Sequence, residues 1–125
     1  MPSISRHVAT APEVVWGLLT DLDAWPQWGP SVAGASVDAD RLGLGVRGTV
    51  RTAVGISLPF EVTGFEEGRH WAWRVAGVPA TGHRVEPDAD GCRVTFTVPW
   101  WAPGYLAVCA IALRRIDALA TSAAA

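Results

Sequence analysis

Wherever alternation points a side chain inward, groups able to move a proton are scarce. His83 is the one titratable residue on the inner side of the run Thr81-Gly82-His83-Arg84-Val85-Glu86. A histidine there can donate a hydrogen bond to a ligand carbonyl or act as a general base, because its ordinary pKa of about 6.5 makes both forms accessible at neutral pH. The competing reading, and the commoner fate of a buried imidazole, is a neutral ring bonded internally. Tyr105 opens the C-terminal helical pattern on its inner side. Its phenol either donates to a ligand oxygen at a cavity mouth or packs its ring and gives the hydroxyl to water. Arg6 shares a strand face with Ile4 and Val8, whereas the other arginines on alternating segments face outward. His83, Tyr105 and Arg6 are therefore the candidate catalytic groups, and no Ser-His-Asp constellation can be assembled around them.

Other chemistries find less support. His7, His70 and His83 are not at metal-ligand spacing, so no metal is expected. Asp88-Ala89-Asp90-Gly91 opens like a calcium loop, but Thr97 stands where the bidentate Glu belongs. Gly43-Leu44-Gly45-Val46-Arg47-Gly48 has the lettering of a dinucleotide loop, yet a strand follows it rather than a helix. It reads as a flexible turn into an edge strand, and no cofactor is expected. Cys92 and Cys109 are too few for a disulfide framework or a structural zinc site. With no signal-like pattern over Met1 to Arg6, they suggest a reducing cytoplasm.

The 125 residues suit a single domain, 1–125, and with 50% hydrophobic and 18% charged residues the chain can bury a core. Ten basic residues, all Arg, against twelve acids, with no basic run beyond Arg114-Arg115, argue against nucleic acid. Val98 to Leu113 is uncharged, but Pro99, Pro103 and Gly104 interrupt it and it falls short of the ~20 residues of a span, so stable membrane insertion is not expected. Nothing in the pattern specifies an oligomeric state.

The elements that must position these groups follow from periodicity. Ser3 to Ala9 alternates as a first strand, and Thr10-Ala11-Pro12-Glu13 has capping-box spacing, with Thr10 as N-cap. Val14, Val15, Leu18 and Leu19 then form a helical stripe flanked by Trp16 and Thr20, which ends at Asp21 to Asp23. Trp25 to Trp28 suits a single helical turn, with Trp16, Trp25 and Trp28 as core. From Ala33 the period is two. Val50, Thr52 and Val54 share an inner face, followed by Ile56, Leu58, Phe60 and Val62, then Trp71, Trp73 and Val75, Thr81, His83 and Val85, and Val94, Phe96 and Val98. Gly64, Gly77 and Asp90-Gly91 separate these runs. A helix over Tyr105 to Ala120 turns Tyr105, Cys109, Ala112, Leu113, Ile116 and Ala120 to one side, and the alanine-rich last residues read as frayed.

Ala11-Pro12-Glu13-Val14-Val15-Trp16, Asp21, Trp25-Pro26-Gln27-Trp28, Gly64-Phe65-Glu66 before Trp71-Ala72-Trp73, Gly82 to Pro87 and Gly91 to Thr97 together resemble the START-like (SRPBCC) superfamily, in its polyketide cyclase/dehydrase and lipid-transport branch. The resemblance implies an α+β helix-grip fold: a seven-stranded curved antiparallel sheet around a long C-terminal helix, with two short helices after the first strand and a hydrophobic cavity between sheet and helix. A one-sided sheet and a one-sided helix must bury their apolar faces on one another, which agrees. The chain is short for the resemblance, so the cavity is expected to be small or open at one end. Its expected lining is Phe60, Trp71, Trp73, His83, Phe96, Tyr105, Cys109 and Leu113, with Trp100 or Trp101 as a further wall. The leading reading is a binder or carrier of a hydrophobic small molecule such as a polyketide, lipid or isoprenoid-like ring. A cyclase, aromatase or dehydrase is the second reading and a protein-interaction module the third.

Overall fold

The computed structural model describes residues 2–122, so the end expected to fray lies outside the described residues. Seven strands form one antiparallel sheet: β1 (Ser3–Val8), β2 (Val32–Val37), β3 (Arg47–Thr52), β4 (Ser57–Glu66), β5 (His70–Val75), β6 (Val78–Asp88) and β7 (Gly91–Thr97). Their spatial order is β1-β7-β6-β5-β4-β3-β2. Between β1 and β2 lie α1 (Pro12–Thr20) and the single turn α2 (Trp25–Trp28). A 3-10 turn over Pro103–Tyr105 leads into α3 (Leu106–Ser122). This is the expected helix-grip α+β arrangement, and register shifts in the β2–β3, β4–β5 and β5–β6 pairings supply local bending of the sheet.

α3 lies against β1 and β7 and touches α1 and α2. Its buried residues are Cys109, Ala112, Leu113, Ile116 and Ala120, the face that helical spacing selects. Sheet residues Val62, Trp71, Val85, Val94 and Phe96 meet this layer in one continuous core. Arg6 belongs to that docking: its Nε donates to Asp117 Oδ2 at 2.7 Å and pins β1 to α3.

Several local expectations are corrected. Ala11, not Thr10, is the N-cap of α1, and no side chain caps it, because Pro12 occupies the first turn with its preset φ and lacks an N–H to satisfy. Val15, Trp16 and Leu19 form the buried stripe of α1, and Val14 is exposed. Val54 and Ile56 fall in the β3–β4 turn and are exposed rather than inward. Gly64 is not a separator but sits inside β4 beside a register shift. Asp88 pairs with Gly91, so the tight turn is Ala89-Asp90, with Ala89 at φ 53°. β3 lies between β2 and β4, so the glycine-rich turn enters an interior strand; β2 takes the edge. Tyr105 ends the 3-10 turn instead of opening the α-helix.

Gly48 shows why that interior strand tolerates no side chain at one point. It pairs with Val37 and Phe60, and a Cβ there would strike the Ser36 carbonyl and come within 2.9 Å of the Phe60 ring. Gly48→Ala is expected to cost about 1–3 kcal/mol, read as a lowered urea midpoint. An unchanged midpoint would show that β2 and Phe60 can yield.

Candidate functional site

α1 is short, so its last carbonyls need partners from outside the helix. Three indoles supply them. Trp25 and Trp71 both donate Nε1–H to the Leu19 carbonyl, at 2.9 and 3.1 Å, and Trp28 donates to the Leu18 carbonyl at 2.8 Å. A carbonyl has two lone pairs, so the shared acceptor is fully used. Trp25 and Trp71 also stack, with centroids 5.3 Å apart and planes 8° from parallel, and Trp73 meets both edge-on. Capping the helix and walling the site are thus performed by one aromatic cluster.

His83 lies inside this cluster and is 3% exposed. Trp71 covers it at 4.1 Å between centroids, and Phe96 meets it edge-on at 4.8 Å. A carbonyl can only accept, so Nδ1–H donates to the Trp71 carbonyl at 3.2 Å. That tautomer makes Nε2 the acceptor of the Thr81 hydroxyl at 2.9 Å, and Thr81 Oγ1 in turn receives Trp73 Nε1–H at 3.1 Å. Both ring nitrogens are occupied. Burial lowers the pKa to about 3, with the Trp71 hydrogen bond opposing the shift. The ring is neutral at physiological pH and has no nitrogen free to act as a base, which matches the internally bonded reading.

Two adjoining spaces lie beside it. The inner one, about 40 Å³, is lined by Trp28, Trp71, Trp73, His83, Phe96, Tyr105 and Cys109 among others, and holds no more than a few waters. The outer one is a groove of about 500 Å³ whose walls include Val50, Leu58, Trp73, Val75, Ala80, Trp101 and Tyr105. That volume is within the range of small-molecule sites. It opens where the chain enters α3, because α3 itself packs toward β1 and β7. Ser31, Val32, Trp73, Thr81 and Tyr105 border both spaces. Among the described residues, no Arg, Asp or Glu lines either one.

Of the residues expected to line a cavity, Trp71, Trp73, His83, Phe96, Tyr105 and Cys109 come together here. Phe60 stands behind them, buried against Trp25 and Trp73. Leu113 is on the buried face of α3, by a separate shallow depression with Ile4 and Arg6. Arg6 is therefore remote from the groove and committed to Asp117. Trp101 borders the outer groove while 67% exposed, and Trp100, 75% exposed, lines neither space. Sequence reasoning missed Ser31, Val32, Leu58 and Ala80 as wall residues. A signal for them exists: 24–37, 52–60, 75–83 and 94–113 contain no charge, and these segments supply most of both walls.

Remaining nucleophiles are muted. Burial pushes the Cys109 thiol up to about 11 and also raises Cys92, so both stay protonated. Burial raises the Tyr105 phenol too, against a hydrogen bond with Ser31 that lowers it. The arrangement can enclose an apolar molecule and offer it hydroxyls, with no ionised group on the walls.

Comparison with known proteins is consistent with this architecture. No curated protein matches the sequence. Among solved structures, protein NE0264 from Nitrosomonas europaea is 17% identical, with a TM-score of 0.71 over 96% of this chain and 93% of that one. The AHSA1-like protein from Aeromonas hydrophila is 18% identical, with a TM-score of 0.68 over 94% and 92%. DynU16, described as a protein of the dynemicin biosynthetic locus, is 19% identical, with a TM-score of 0.68 over 93% of this chain and 45% of that one. These likenesses concern the fold. The family model described as polyketide cyclase / dehydrase and lipid transport matches residues 3–122, nearly the whole chain. Sheet, grip helix and family match converge: this chain belongs to the polyketide cyclase/dehydrase and lipid-transport family of the START-like superfamily.

Proposed function

We propose that this chain binds and carries a hydrophobic small molecule of the polyketide, lipid or isoprenoid-like class in its outer groove. The observation that carries the reading is a space of about 500 Å³ walled mostly by aliphatic and aromatic side chains, with Ser31, Thr52 and Thr81 as the small polar ones and no charged residue among them. Shape and apolar burial then supply most of the binding energy, at roughly 25 cal/mol per Å² removed from water. Native mass spectrometry of the purified protein tests it. A mass excess is expected that disappears on denaturation and is lost in Ala80→Trp, whose indole fills the groove. A ligand retained equally by that variant would place binding elsewhere, and a bare native mass followed by no response to any polyketide-like compound would overturn the reading.

A cyclase, aromatase or dehydrase is the second reading, favoured by the family and by the Ser31 and Tyr105 hydroxyls at the groove. Such an enzyme would hold a reactive polyketone in one folded shape and polarise a carbonyl, gaining rate from orientation. His83 counts against proton abstraction, since its nitrogens are engaged and its proton affinity is low.

A further inference from the structure

Polarity in the cavity walls is concentrated where the inner and outer spaces meet. Ser31 precedes β2, Tyr105 ends the 3-10 turn, and their hydroxyls bond each other across the junction. Two hydroxyls hold two protons, and the mutual bond uses one, so one O–H is left to donate. Thr81, which borders both spaces, has given its proton to His83 and one lone pair to Trp73, and retains a single acceptor position. The junction can thus satisfy one oxygen, either a carbonyl or a hydroxyl. Around it the wall is apolar and includes the indoles of Trp73 and Trp101.

We infer that the groove selects uncharged, flat apolar molecules that carry a ketone or phenol oxygen at one end, and that this oxygen sits at the Ser31–Tyr105 pair. The inference rests on the ligand-binding reading above and adds its chemical class. A carboxylate of the same shape would leave water for a wall without a single cation, and one spare O–H does not offset that loss. A hydrocarbon of the same shape would bury the spare O–H without a partner. Charge and oxygen therefore both discriminate, in opposite directions.

Three probes sharing one ring system separate these terms: naphthalene, methyl naphthyl ketone and naphthoate, titrated near neutral pH while the indole N–H resonances are followed by NMR. The ketone is expected to bind more tightly than naphthalene and at least about tenfold more tightly than naphthoate. In the double variant Ser31→Ala/Tyr105→Phe, affinity for the ketone should fall about fivefold more than affinity for naphthalene. The ratio of ketone to carboxylate is measured on the unaltered chain, so it stands even where the double variant fails to fold. Naphthoate binding as tightly as the ketone, or a double variant that treats ketone and naphthalene alike, overturns the inference while leaving a ligand-binding groove. No binding by any of the three removes that groove's proposed role and the inference with it.

Discussion

Trp71→Ala is expected to lower stability by about 3–5 kcal/mol, a large fraction of what a domain of this size possesses. The ring is 1% exposed, stacks on Trp25, covers His83 and donates to the Leu19 carbonyl. Removing it leaves a cavity in the middle of the core and takes one of the two indole donors from the Leu19 carbonyl at the end of α1. Trp71→Phe separates these effects. It keeps an aromatic face while losing the indole N–H, and should cost less, with the hydrogen bond contributing about 1 kcal/mol of the loss. Urea denaturation of the three proteins measures both differences. Equal midpoints for the alanine variant and the parent protein would mean that the cluster repacks around the gap.

Acidification is expected to destabilise the protein from about pH 6.5 downward. His83 has an ordinary pKa of 6.5 when unfolded and about 3 when folded, so below pH 6.5 the unfolded chain binds a proton that the native chain refuses. Stability is complete above 6.5 and declines as pH falls toward 3, by about 1.4 kcal/mol per pH unit over most of that window. His70 is shifted the same way, by burial first and by Arg84 second, and adds to the decline in the same direction. His83→Gln should flatten the slope between about pH 6 and 4.5, whatever its effect on absolute stability. The urea midpoint followed against pH decides it. A parent protein as stable at pH 4.5 as at 7 would mean that His83 meets water or a carboxylate that the present geometry does not give it.

Strand parity was legible because it depends on near neighbours. Alternation put Trp71, Trp73, His83, Val85, Val94 and Phe96 on one face, and all six lie on the core or cavity side. Helical spacing likewise selected the buried side of α3. Where the sequence misled, a local motif competed with tertiary packing. Thr10 has the lettering of a cap, but Pro12 already starts the helix. Val14 fits the stripe of α1, but the indole of Trp16 is needed inside, where it donates to Glu67 at 2.7 Å and meets Phe65 edge-on. Gly64 looks like a break, yet the strand runs through it beside a shift in register.

The residue types and their alternation were enough to determine an α+β fold with one wet and one dry sheet face. Which residues would line a space, and which would merely fill it, was decided by the tertiary structure. Phe60 and Leu113 are as apolar and as inward as Trp73, but one is backed by Trp25 and the other sits on the buried face of α3, so neither reaches the groove. Ser31 and Tyr105 are 74 positions apart and meet only because the strand order folds the start of β2 toward the entry of α3. The role of His83 was decided in the same way. Its inward direction follows from a period of two, but its neutrality and its engaged nitrogens depend on Trp71, Thr81 and Phe96 closing around it, and two of those three come from other strands.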